Sequence, residues 1–408
     1  MGARERLAVW ALAGGVMLAA CGSAPPPTET PAPPTPTPPR VLVTLTPVPT
    51  RLSVGAADHP LGSADAYLTI AHYGDFRCAP CVDVARSLLL LRQRYADDIR
   101  IIWRHFVPAG DSAARLAAEA AEAAAAQGRF WEMHDQLLAA QADWRDLPPD
   151  QLRAALVDLA QAAGVPDVNA VGLALETGQY APLVERASRE ALARGYRSAP
   201  VLLFRDEPYA GRIDAFGLES YTRLILLERR QFARQPAMII DLEADYRARL
   251  ITERGEATIQ LFTRDAPVTV NNFVFLARAG WYDDNTFFLV TPELAQTGDP
   301  SDTGLGTAGY FILDEHDNGL IFDREGLVAL AHQRGAVNSG SAQFFITFGP
   351  LPPEGFNGQY TIFGQVIAGM DVLRQLTPRN PFDPLRFPNP PPGDRLIRVE
   401  IVESEPGA

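Results

Sequence analysis

The chain has 408 residues, 47% of them hydrophobic, and a formal net charge of -13. All 36 basic residues are arginine, and the acidic balance offers no basic face for phosphate backbones, which argues against a nucleic-acid partner. The three cysteines, at 21, 78 and 81, are too few to staple a core.

In chain order, Arg4 and Arg6 precede an apolar run from Leu7 to Ala20. This run is shorter than the roughly 20 residues of a spanning helix and has the form of an export signal. Its ending, Leu18-Ala19-Ala20-Cys21, resembles the bacterial lipobox. The resemblance implies that residues 1–20 are a lipoprotein signal peptide and that Cys21 is lipidated. The mature protein would then sit outside the cytoplasm, anchored to the cell membrane by acyl chains. An ordinary secretory signal with a chance cysteine is the alternative. Residues 21–57 are rich in proline and threonine, with Pro25-Pro26-Pro27, Pro33-Pro34 and Pro38-Pro39. Such a stretch cannot build a core, and it reads as an extended polyproline tether reaching up to roughly 100 Å.

The remaining stretch of roughly 350 residues suggests two domains. A break is expected near Gln235-Pro236, where an arginine-rich helical pattern gives way to proline and strand-like sequence. The expected domains are therefore 58–235 and 236–405.

In the first domain, Tyr67 to Tyr73 reads as a buried strand and Val82 to Tyr95 as a helix with an apolar face. Cys78-Ala79-Pro80-Cys81 lies between them, so Cys78 falls at a helix N-terminus, where N–H groups and the helix dipole favour a thiolate. Pro80 is tolerated in a first turn. This placement predicts Cys78 as the attacking thiolate and Cys81 as the resolving thiol. A zinc half-site would need further Cys or His ligands, and a purely structural disulfide over so short a loop would stabilise little.

Tyr73-Gly74-Asp75-Phe76-Arg77-Cys78-Ala79-Pro80-Cys81, Trp103-Arg104-His105-Phe106, Phe130-Trp131-Glu132-Met133-His134 and Ser198-Ala199-Pro200-Val201 resemble the DsbA-like branch of thioredoxin-fold oxidoreductases. The resemblance implies an α/β thioredoxin fold with a helical insertion over about Ser112 to Arg194. It also implies a cis Pro200 facing the cysteine pair as part of the catalytic redox site. Ala199 stands where the family has threonine or valine, and Ala79-Pro80 lacks the histidine of strong oxidants, which leaves the direction of exchange open. His105 and His134 read as packing and surface positions, and Glu119 and Glu122 as a solvated helix face.

In the second domain, short strand-like runs at 248–252, 257–262, 326–330, 344–347 and 361–366 alternate with turns, as in an antiparallel barrel. Helices are expected over Pro267 to Ala279 and Gly369 to Gln375. Asp314 to Glu325 has the spacing of a calcium loop, but strand-like sequence flanks it, so it reads as a solvated barrel loop.

Pro267-Val268-Thr269-Val270-Asn271-Asn272-Phe273, Gln296-Thr297-Gly298-Asp299-Pro300, Ser341-Ala342-Gln343-Phe344-Phe345-Ile346 and Phe356-Asn357-Gly358-Gln359-Tyr360 resemble the cyclophilin family of peptidyl-prolyl isomerases. The resemblance implies a mainly-β closed barrel with two helices. In it Phe345 and Phe356 line a proline pocket, Gln296 and Gln343 contact the peptide, and Tyr360 stands at the rim. The family's arginine, donor to the prolyl nitrogen, is replaced by Leu289, and the following segment is one residue short. Arg334 and His332 are possible substitutes. No cofactor or metal is expected. The expected partners are folding exported proteins with cysteines and X–Pro segments, and a redox partner protein. The alternative reading is a redox enzyme whose barrel only binds prolyl peptides.

Overall fold

The structure is a computed structural model that describes residues 52–55, 57–333, 335–383, 385–387 and 390–404. Cys21, the signal segment, the tether up to residue 51 and Arg334 lie outside the described residues.

The first domain is a five-stranded sheet interrupted by a helical insertion. Its strands are β1 (His59–Leu61), β2 (Leu68–Gly74), β3 (Ile99–His105), β4 (Val201–Phe204) and β5 (Glu207–Pro208), in the order β1-β3-β2-β4-β5. β2 and β3 run parallel, joined by α1 (Ala79–Arg94), and β4 is antiparallel to β2. β2 is apolar and buried almost throughout, as a central strand covered on both faces must be. This is the thioredoxin fold expected from the sequence.

The insertion comprises α2 (Ser112–Ala125), α3 (Phe130–Ala139), α4 (Gln141–Trp144), α5 (Pro149–Ala162), α6 (Val168–Thr177) and α7 (Ala181–Ala193), and α8 (Ala215–Leu227) follows β5. Asp111 caps α2 by accepting the N–H of Ala114 at 2.9 Å. The alanines of α2 let α3, α5, α6 and α7 approach on several sides. Glu119 and Glu122 are therefore buried, 1% and 5% exposed, and not on a solvated face as expected. An alanine-rich helix has no wide polar stripe, and its small side chains allow burial all round.

Contacts also extend across the expected boundaries. Leu52 is buried against Ala71, Tyr73, Phe106 and Ala191, and Ser53 O accepts from Arg104 Nη2 at 2.7 Å. Leu227, at the end of α8, packs into the barrel core, and Phe232 packs against it.

The second domain contains β6 (Asp245–Thr252), β7 (Gly255–Leu261), α9 (Pro267–Arg278), β8 (Asn285–Thr286), β9 (Leu289–Val290), β10 (Leu294–Thr297), β11 (Leu327–Leu330), β12 (Phe344–Thr347), α10 (Pro353–Phe356), β13 (Ile362–Ala368), α11 (Met370–Leu373) and β14 (Arg395–Ser404). One nine-stranded sheet runs β8-β14-β6-β7-β13-β11-β12-β10-β9, and every pair is antiparallel. Its two edge strands, β8 and β9, are consecutive in the chain. The sheet thus curls back on itself through the segment 285–290, without a ladder between its edges among the described residues. Closure is by chain continuity, not by a complete ring of hydrogen bonds. The helix expected over Gly369 to Gln375 is reduced to the short α11.

Candidate active sites

Cys78 is the N-cap of α1, and its Sγ accepts the N–H of Cys81 at 3.1 Å. The two cysteines form a disulfide. Cys78 is half-buried and Cys81 fully buried, so an incoming thiolate can reach only the first sulfur. The Ala199–Pro200 bond is cis, and Val201, one residue on, pairs with Tyr73 of β2.

Buried polar groups hold the cysteine loop. Gln141 Nε2 donates to Phe76 O at 2.6 Å and to Cys78 O at 3.1 Å. Cys78 N–H donates to Asp75 O at 3.1 Å, and Arg77 N–H to Asp75 Oδ1 at 2.9 Å. Burial pushes the Asp75 carboxyl up to about 6, against the opposing hydrogen bond from Arg77. Arg77 in turn pairs with Asp111 at 2.7 Å, at the edge of a cavity of about 420 Å³ between the start of α2 and α7.

Behind the loop lies a cluster of rings and imidazoles. Trp103 stacks on Phe76 at 4.7 Å and meets His72 and His134 edge-on at 4.9 and 4.7 Å. Burial depresses all three imidazoles of His72, His105 and His134, that of His72 to about 3. His134 is buried, not at the surface as expected. Burial would raise Glu122, but hydrogen bonds from His105 and His59, both 2.8 Å from Oε1, outweigh it and hold the carboxyl near 2.

His59, His105 and Glu122 bring three possible metal-ligand atoms within 4.8 Å of one another. The surrounding hydrogen bonds do not suit a metal. Trp103 Nε1–H, a donor only, faces His105 Nδ1 at 3.2 Å, so the proton of His105 sits on the Nε2 that a metal would need.

In the barrel, Gln296 of β10 pairs in register with Phe345 of β12 and with Leu289 of β9. Phe345, Phe356 and Tyr360 converge, with centroids 5.4–6.2 Å apart, and Phe322 completes the aromatic wall by stacking on Phe345 at 5.8 Å. Gln296 Nε2 donates to Gln343 Oε1 at 2.9 Å, and Gln343 Nε2 donates to Gly304 O and Gly306 O at 3.1 and 2.9 Å. The Gln343 amide is thus engaged within the protein, and the carbonyl of Gln296 is the acceptor left toward a peptide. A cleft of about 80 Å³ opens beside the two glutamines. Leu289 is half-buried opposite Gln296 and presents no donor. His332 stacks on Tyr360 at 4.4 Å, and its ring nitrogens face Gln333 O and Gln359 O, so its N–H is committed to the loop.

The residues that sequence reasoning missed are Gln141, Asp75, His72, Glu122 and Phe322. Asp75 was within reach, being adjacent to the cysteine motif. The others carry no local signal, because their partners are distant in the chain.

Comparison with known proteins is consistent with this two-part reading. The family profile for cyclophilin-type peptidyl-prolyl cis-trans isomerases matches residues 247–389, and a thioredoxin profile matches residues 56–222. Peptidyl-prolyl cis-trans isomerase-like 1 of Gibberella zeae is 37% identical over 131 residues, covering 31% of this chain and 78% of that protein. Its counterpart in Aspergillus niger is 36% identical over 158 residues, covering 37% of this chain and 92% of that protein. Among solved structures, a cyclophilin-type isomerase of Cryptosporidium parvum, crystallised in the presence of the dipeptide ala-pro, has 30% identity and a TM-score of 0.35, covering 39% of this chain and 99% of its own. Oxidised BdbD from Bacillus subtilis has 20% identity and a TM-score of 0.37, covering 44% and 96%. Matched over 78% and 92% of these relatives at 37% and 36% identity, the chain belongs, through its second domain, to the cyclophilin-type peptidyl-prolyl cis-trans isomerase family.

Proposed function

We propose that this chain is an extracytoplasmic protein-folding factor, held to the cell membrane by lipid on Cys21, that exchanges disulfides and engages prolines in client proteins. The observation that carries the redox half is the Cys78–Cys81 disulfide at the start of α1, one sulfur reachable and the other buried. A client thiolate attacks Cys78 Sγ, the Cys78–Cys81 bond breaks, and Cys81 leaves as a thiolate. A second client thiolate then attacks the client sulfur of the mixed disulfide and releases Cys78. The client is oxidised by two electrons and the protein is reduced, so turnover requires a partner dithiol–disulfide protein to reoxidise the pair.

The prolyl half rests on the aromatic wall and the Gln296 carbonyl. An X–Pro bond crosses roughly 18–20 kcal/mol of lost resonance, and a site accelerates rotation only by binding the twisted amide better than the planar one. Leu289 supplies no hydrogen bond to the prolyl nitrogen, which favours a second reading: a barrel that binds prolyl segments and isomerises them slowly. Disulfide exchange and proline isomerisation are both slow folding steps, which is the physical sense of joining them in one chain.

The test uses the full chain with one client protein in two forms, disulfide-bonded and reduced. The free Cys78 thiolate of Cys81→Ala should attack the disulfide-bonded client, displace one client thiolate and stay trapped as a mixed disulfide, and Cys78→Ala should trap none. Wild type should accelerate oxidation of the reduced client. Absence of any adduct in Cys81→Ala, with no acceleration of oxidation by wild type, would remove the redox half. Membrane fractionation of wild type against Cys21→Ser checks the anchor.

A further inference from the structure

Barrel loop 299–310 is held from two sides. On the inner side its Gly304 and Gly306 carbonyls receive the Gln343 amide. On the outer side it meets the first domain. Arg223 of α8 pairs with Asp302 Oδ2 at 2.7 Å, and the other oxygen of this buried carboxylate accepts from Thr286 Oγ1 at 2.5 Å. Gln231 Nε2 donates to Thr307 O at 3.2 Å and Phe232 N–H to Ala308 O at 2.8 Å. The approach leaves no room for side chains. A Cβ on Gly306 would lie 3.0 Å from Leu227 Cδ2, and one on Gly309, where φ is +95°, would lie 2.4 Å from Phe232 O.

We infer that the segment Arg223–Phe232 of the redox domain is a working part of the prolyl site, with Arg223 as its positioning residue. A loop with glycine at 304, 306 and 309 has little shape of its own and takes the one imposed by its neighbours. Arg223, acting through Asp302, fixes that loop, and the loop's two carbonyls hold the Gln343 amide in one orientation. Gln343 in turn orients Gln296. The Gln343 amide keeps this orientation only while both carbonyls stay in place. The two domains are therefore not separable modules, and a barrel cut at residue 235 would lack the groups that shape its own site. This inference rests on the reading of the barrel as a prolyl-peptide binder.

The experiment uses the full chain and a fluorophore-labelled Ala-Ala-Pro-Phe peptide, with Kd read by anisotropy. Arg223→Ala should weaken binding roughly five- to tenfold, the scale of one ordinary hydrogen bond, because Arg223 acts on the peptide only through the loop. Arg223→Lys should restore most of that loss. Asp302→Asn should lose a similar amount, and the double variant little more than either single one. Disulfide exchange through Cys78 should stay within about twofold of wild type, showing that the first domain is intact. Unchanged Kd in Arg223→Ala, or fully additive losses in the double variant, would overturn the inference. If wild type binds no peptide, the prolyl reading fails. The inference is then decided by the side-chain amide resonances of Gln343, whose hydrogen exchange should accelerate in Arg223→Ala and would stay unchanged if Arg223 does not position the loop.

Discussion

Trp103 donates its indole N–H to Nδ1 of His105 at 3.2 Å. That single contact fixes the imidazole tautomer, sends the Nε2 proton to Glu122, and turns a group that resembles a metal site into a closed hydrogen-bond cluster. Glu122→Gln replaces a carboxylate between two N–H donors by an amide, and the native carboxyl sits near 2 against an ordinary 4.5. Because its pKa is depressed, this group stabilises the fold above about pH 4.5 and loses that effect as pH falls toward 2. Urea unfolding at pH 7 should show a loss of about 3 kcal/mol, from roughly two pKa units. Zinc added to wild type should leave the melting temperature unchanged, and a zinc-dependent rise would refute the tautomer argument.

The buried imidazoles make the first domain sensitive to mild acid. His72, held near 3, stays neutral in the fold at pH 5 but takes up a proton once unfolded, where the ordinary value is 6.5, and burial shifts His105 and His134 in the same direction. Asp75 works in the opposite sense, being protonated in the fold near pH 5 and ionised outside it. The depressed imidazoles and Glu122 together outweigh Asp75, so the unfolded chain binds more protons and stability should fall as pH drops from 7 to 4.5. Denaturation series from pH 7 to 4.5 measure this slope, and a flat profile would contradict it.

Asp75 is itself a liability at neutral pH. Its raised pKa means that its contribution is full below 3.8 and disappears as pH rises through about 6. Asp75→Asn keeps the acceptor for Arg77 N–H and removes the buried charge. It should therefore stabilise the protein by about 2–3 kcal/mol at pH 7–8 and by nothing near pH 4. Melting curves at the two pH values decide it.

Leu289 stands opposite Gln296 in the register of β9 and β10, and Gln296 in turn pairs with Phe345 of the aromatic wall. Leu289→Arg should raise the rate of X–Pro isomerisation by roughly 10²-fold, the scale of one transition-state hydrogen bond, while changing peptide affinity little. A protease-coupled assay on full-length protein measures it. If wild type already turns over as fast as the arginine variant, another group performs that role.

Much of this protein was legible in its sequence. The cysteine motif between a strand and a helix, the X–Pro preceding β4, and the four strings of the barrel are local signals, and local signals survive in a linear text. Strands β8, β9 and β10 are two to four residues long and have no period to read. β14, ten residues long, escaped because few of its side chains are buried. The solvated reading of Glu119 and Glu122 failed for a different reason: alanine on every side of α2 allowed packing all round, and nothing in the helix announces that.

By itself, the sequence determined the two folds and placed the Cys78–Cys81 motif between a strand and a helix, because each is written in contiguous residues whose chemistry is fixed by type and spacing. Only the tertiary structure decided where the buried charges go. The sharing of Glu122 between two histidines, the hold of Gln141 on the cysteine loop, and the clamp of Arg223 on the loop behind Gln343 join residues 17 to 79 positions apart. Such pairs form only when packing removes water from both partners at once, and a linear pattern does not record that step.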